Sequence, residues 1–232
     1  MMKSLLISVV LFGVSSSAFG SDKKLQGWLG TGSWDKGIEY CNGKLADDVS
    51  RRPNLRNTST EYLARLAVYC AALASGKGDE RSSSWWWYTA ASIDLEASQN
   101  LLPEMRKMRL LEVLPPPRSR RSPGTPELNK NEVRLLTGEV VPGTSPRLLT
   151  KVKVPEYMFR PITGVSGAVV VIEAVISRDG IPQQPLLLDA KALPVHVLWA
   201  YQFFSAFRFE PAKVNDEPVE CIYVVTISTQ RG

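Results

Sequence analysis

The chain has 232 residues, 44% of them hydrophobic, enough for one large domain or two small ones with modest cores. Its 28 basic and 23 acidic residues leave a formal charge of +5 with both signs spread along the sequence, too mild a balance to imply a nucleic-acid partner. One histidine, His196, and three cysteines without a Cys-x-x-Cys spacing give no pattern for a metal centre.

Lys3, the apolar run Leu5 to Val14 and the small-residue end Ala18-Phe19-Gly20 have the layout of a secretory signal peptide over residues 1–20. The expectation is export, cleavage after Gly20 and a mature periplasmic chain that begins near Ser21. Ser15, Ser16 and Ser17 close the apolar run well short of the ~20 residues of a spanning helix, so a retained anchor is the lesser alternative. In an oxidising compartment Cys41 and Cys70 can pair, which would tie two N-terminal helices together and contribute about 2 to 4 kcal/mol. Cys221 is then left over in an apolar strand pattern and reads as a buried, inert thiol.

Residues 21–114 read as a helical domain, with helical patterning from Trp34 to about Met108. Ile38, Cys41 and Leu45 mark a first apolar face, and Arg51 to Thr60, with Pro53, reads as a loop. Thr60 is the expected cap of a strong helix in which Leu63, Leu66, Ala67, Cys70, Ala71 and Ala74 recur at spacings of three and four, with Gly76 and Gly78 as its stop. Trp85 to about Leu101 reads as a third helix. Trp85, Trp86, Trp87 and Tyr88 point in four directions and cannot all face one core, so they are assigned either to a partner-binding aromatic surface or to core plus a domain interface.

Pro115-Pro116-Pro117 and Pro123-Gly124-Thr125-Pro126 break regular structure, and residues 115–145 read as a proline-rich linker. The arginines within it, Arg118, Arg120 and Arg121, lack the interleaved aromatics of a single-strand binding surface and read as a solvated linker, with contact to an anionic envelope surface as the lesser alternative. Leu135 to Val141 is a candidate short strand. The C-terminal domain, 146–232, opens with the alternating Lys151 to Val154. Ala168 to Ile176 is too β-branched for a helix and reads as a buried strand, Arg178-Asp179-Gly180 as a hairpin turn, and Ile181 to Leu188 as its partner, irregular or at an edge because of Pro182 and Pro185. Asp189 is the expected cap of a helix running to about Phe207, with Leu193, Val197, Ala200, Tyr201 and Phe204 as its stripe. Pro194 must sit in its first turn or shift its start. Asn215-Asp216-Glu217 turns into a last strand, Val219 to Ser228. The expected class is α+β: a helical hairpin domain, a linker, and an antiparallel sheet of about three strands covered by one helix.

Two resemblances follow. Leu66 to Ala74, a glycine turn and Trp87-Tyr88-Thr89-Ala90-Ala91 resemble one tetratricopeptide-type unit, without a second copy at a spacing of about 34 residues. Pro155-Glu156-Tyr157, Gly164 to Val170, Ser177-Arg178-Asp179-Gly180, Phe207-Arg208-Phe209-Glu210-Pro211-Ala212 and Val219, in that order, resemble the TonB C-terminal domain over about 146–232. That resemblance implies a coupling role between the inner membrane and outer-membrane receptors, in which the free edge of the last strand accepts an extended receptor peptide by strand addition. The implied contact positions are Glu220, Ile222, Val224, Thr226 and Ser228, with Tyr157 nearby. Met158 replaces the family's second proline, and the sequence carries neither the family's histidine-bearing N-terminal membrane helix nor its long proline-rich spacer. A soluble relative that uses the fold for binding fits these departures better than an energy transducer.

His196 at helical spacing from Ala192 and Ala200 reads as a packed residue, and no Gly-x-Ser-x-Gly or phosphate-loop pattern occurs, so no enzyme, catalytic residue or cofactor is expected. The expected partner is an envelope protein, with an outer-membrane receptor as the leading candidate, only indirect membrane contact, and a homodimer left open. The alternative is a structural adaptor that recognises its partner through Trp85, Trp86 and Trp87.

Overall fold

The computed structural model describes residues 20–50, 59–112, 114, 116, 131–150 and 168–228. The signal segment up to residue 19, most of the Arg51 loop, the Arg118 to Arg121 cluster and the segment holding Lys151 to Val154, Tyr157 and Gly164 lie outside these residues.

Six helices come first: α1 (Gly20–Thr31), α2 (Trp34–Gly43), α3 (Leu45–Ser50), α4 (Thr60–Lys77), α5 (Glu80–Ile93) and α6 (Leu95–Lys107). Local chemistry sets their ends. Ser59, one residue before the expected cap, accepts the Tyr62 N–H at 3.1 Å and starts α4. Only Gly78, at φ 80°, ends that helix; Gly76 stays inside it, where a side chain would run into the Trp34 ring. The segment expected as one helix from Trp85 to Leu101 is two. Asp94 adopts extended backbone and turns its carboxylate onto the Ala97 N–H at 3.0 Å, which ends α5 and caps α6. Cys41 of α2 and Cys70 of α4 form the expected disulfide, with Cα atoms 5.8 Å apart and both residues buried.

The β part is mixed with one further helix. β1 (Glu132–Leu135) and β2 (Val140–Pro142) form a hairpin inside the stretch read as linker. β4 (Val169–Ile176) and β5 (Pro182–Lys191) are joined by the expected Asp179-Gly180 turn, and β9 (Cys221–Ser228) completes a five-stranded antiparallel sheet of order β2-β1-β9-β4-β5, against the three strands expected. β5 lies at the end of that order, where prolines are tolerated. Its pairing with β4 slips between Glu173 and Val175, where Gln184 and Pro185 together oppose Ala174, so the bulge absorbs a residue that has no N–H. Two small ribbons flank the sheet: β3 (Arg147–Leu148) with β6 (Phe209–Glu210), and β7 (Ala212–Val214) with β8 (Glu217–Val219) through a tight turn at Asn215-Asp216.

Helix α7 (Pro194–Ser205) starts later than the sequence suggested. Asp189 does not cap it; that residue pairs with Val171 inside β5, because the strand runs on to Lys191. Pro194 takes the first helical position, and the Leu193 N–H donates to His196 Nδ1 at 3.3 Å. Burial lowers the His196 pKa, which keeps the imidazole neutral and Nδ1 available as that acceptor.

The position of α7 explains its sequence, which carries apolar residues on every side. On one flank it packs against β4 and β5, and on the other against α2, α3, α4 and α5. Gln202, buried between them, accepts the Ala46 N–H at 3.1 Å and donates to the Asn42 carbonyl at 3.0 Å, so one amide satisfies both sides of the α2–α3 junction. One continuous apolar core therefore runs from Leu25 through α7 to Ile227.

Candidate strand-addition edge

Strand β9 alternates. Cys221, Tyr223, Val225 and Ile227 lie opposite Ile176, Ala174, Ile172 and Val170 and turn their side chains to the α7 core, while Ile222, Val224, Thr226 and Ser228 share the other face. Burial sends the Cys221 thiol up to about 12, so it stays a neutral, packed thiol.

The direction of the backbone groups follows from the β1–β2 hairpin. Leu135 donates its N–H to the Glu139 carbonyl at 2.9 Å and accepts from the Gly138 N–H, so its polar groups face β2. Successive residues of an antiparallel strand point these groups to opposite sides, so Arg134 presents its own to β9, opposite Ile222. The same alternation along β9 directs the N–H and C=O of Cys221, Tyr223, Val225 and Ile227 to β4, and those of Ile222, Val224 and Thr226 to the β1 side.

β1 covers only the start of that side, pairing Leu135 with Cys221 and Arg134 with Ile222. The register would next bring Glu132 opposite Val224. The pairing ends at Arg134, and the Glu132 carbonyl accepts the Ser145 hydroxyl at 2.8 Å. Among the described residues no strand pairs with Tyr223 to Ile227 on this side. Val224, 42% exposed, and the exposed Thr226 sit on this stretch.

β9 is thus an interior strand, not the edge strand of the sheet, and the exposed stretch is shorter than expected. Ile222 is buried and paired, so it is not an acceptor position. Glu220 precedes the strand and is half-buried. Ser228 is exposed at its end, opposite Val169. Tyr157 lies outside the described residues. Ser145 and Arg134 carried no functional signal in the sequence, and the candidate strand Leu135 to Val141 is in the structure a turn between β1, which ends at Leu135, and β2, which starts at Val140.

The tryptophan surface is corrected more plainly. Trp85, Trp86 and Trp87 are 6%, 1% and 2% exposed. They can all be buried because α5 meets α4 and α6 on one side and α7 and β5 on the others, so residues that point in different directions each meet protein. Trp85 packs edge-on against Phe204 at 5.8 Å between centroids, and Trp86 Nε1 donates to Asn42 Oδ1 at 3.2 Å.

Among the described residues, no helix is long and apolar enough to cross a membrane, and no group of three or more metal-ligating side chains occurs. Compared with known proteins, the chain matches no family model, no curated protein and no solved structure. The class that the geometry itself defines is an α+β protein with a five-stranded antiparallel sheet.

Proposed function

We propose that this chain is an exported, TonB-related binding protein of the periplasm that engages an envelope partner, with an outer-membrane receptor peptide as the leading candidate, by strand addition at Val224 and Thr226 of β9. The observation that carries this reading is that β1 pairs with β9 only at Cys221 and Ile222, so that among the described residues no strand lies beside the outward backbone groups of Val224 and Thr226. A peptide in extended form would pair with these groups and take its specificity from contacts with its alternate side chains. The order of sequence motifs over about 146–232 supports the family reading, and the signal-like first twenty residues support the location.

Val224→Pro tests it. The Val224 N–H points away from β4, so proline removes an outward donor without taking a bond from the β4–β9 ladder. In a pull-down from envelope extract, the parent chain should capture a receptor, and the variant should lose about tenfold or more of that binding while circular dichroism shows it folded. Equal capture of the same partners by a folded Val224→Pro chain would sink the strand-addition reading.

A further inference from the structure

Leu193 stands at the N-cap of α7, yet its side chain has no atom that can hold a backbone N–H. Pro194, next in the chain, has no N–H of its own. The side-chain bond at this end comes instead from the third helical residue. The Leu193 N–H donates to His196 Nδ1 at 3.3 Å, and the Leu193 carbonyl accepts the His196 N–H at 2.9 Å. Glutamate or glutamine makes this reach-back in a capping box; here an imidazole makes it. The turn so closed joins the end of β5 to α7, and its Val195 and Val197 are buried in the shared core.

A glutamine keeps its acceptor at any pH, and an imidazole does not. A proton on Nδ1 turns the acceptor into a second donor that faces the Leu193 N–H. It also sets a positive charge, half-buried, at the positive end of the α7 dipole. Both effects oppose the folded turn, and among the described residues no carboxylate offsets them. α7 itself carries none. Glu173 of β4 lies opposite Val224, and Asp189 and Lys191 of β5 lie opposite Val171 and Val169, so all three share the sheet face turned away from α7. On the helical flank the carboxylates are Asp35 and Glu39 of α2, Asp47 and Asp48 of α3, Glu61 of α4, and Glu80 and Asp94 at the ends of α5. None bonds the imidazole, and any cation there adds to the repulsion.

We propose that His196 is an acid-released latch: when its imidazole takes up a proton, the first turn of α7 lets go of the end of β5. Burial lowers the His196 pKa in the folded chain, which sets the direction. The latch contributes its full stability above the ordinary value of 6.5 and loses it as the pH falls from there towards the lowered value. No other imidazole titrates in this range, because His196 is the chain's one histidine. The device does not depend on the β9 edge.

Amide hydrogen exchange of the full chain, corrected for the intrinsic pH dependence of exchange, tests it. Between about pH 7.5 and about pH 5.5 the segment Leu193 to Val197 should lose about tenfold or more of its protection, while the centre of α4 keeps its own. His196→Gln retains an acceptor at this place but cannot take up the proton, so its protection should not change with pH. Equal protection of the parent segment at both values overturns the latch. So does an equal loss in parent and variant, which assigns the effect to carboxylates. Should the variant not fold, the parent decides alone: the Leu193 amide and His196 ring NMR signals should titrate together with a midpoint below 6.5. A Leu193 signal that does not follow the ring overturns the proposal.

Discussion

At the scale of single residues, Gly180 joins two sequence motifs that lie far apart. It ends the Asp179-Gly180 turn at φ 72°, and its carbonyl accepts the Phe209 N–H at 2.8 Å. A Cβ there would lie 1.7 Å from the Phe209 carbonyl oxygen, which is backbone and cannot step aside. Gly180→Ala should therefore destabilise the chain by more than about 2 kcal/mol, from positive-φ strain and the clash together. Urea denaturation reads this directly, and a midpoint equal to the parent's would contradict the close approach. The turn was legible because Asp-Gly states its own backbone preference. Its docking on Phe209 was not, since no local rule couples two positions so distant in the chain. The same limit applies to Trp85, Trp86 and Trp87: their types were plain, but burial depended on which elements closed around α5.

At the scale of elements, most boundaries that the sequence misplaced were displaced by one capping side chain. Ser59 took the role expected of Thr60, and Asp94 divided one helical pattern into two; both kinds of signal were present in the sequence but compete with neighbours of similar propensity. Asp189 was lost to β5 because a strand can extend through any residue whose neighbour is in register. The α2–α4 disulfide was legible from the cysteine count together with the expectation of export. It closes a loop of 29 residues between Cys41 and Cys70, for which chain entropy gives about 3 to 4 kcal/mol. A Cys41→Ala, Cys70→Ala double variant should lose stability of that order in urea. Because Asn42 follows Cys41 and receives Gln202, its loss should also loosen α2 from α7, visible as faster amide exchange there. Stability within about 0.5 kcal/mol of the parent would mean that packing alone holds α2 in place.

At the scale of the whole molecule, α7 is the centre. It belongs in sequence to the C-terminal part, yet Gln202, Tyr201 and Phe204 bond or pack against Asn42, Ser92 and Trp85 of the helical part. A chain of residues 116–232 alone would expose that flank of α7 to water. It should lack a cooperative unfolding transition and bind a hydrophobic dye, as a compact state without fixed packing does. A sharp two-state transition in that fragment would show that the sheet and α7 form an independent unit.

The sequence alone determined what short-range physics controls. That includes the helical N-terminal half, the β-branched strand Val169–Ile176, the Asp179-Gly180 and Asn215-Asp216 turns, the α+β class, and the pairing of Cys41 with Cys70. Only the tertiary structure decided the order of the strands, the burial of the tryptophans and the stretch of β9 left without a neighbouring strand among the described residues. Residues near in sequence meet at almost no entropic cost, so their own preferences settle local form. Which strand lies beside β9, and how far β1 follows it, depends on segments brought together from across the chain, and there the shared core around α7 sets the outcome.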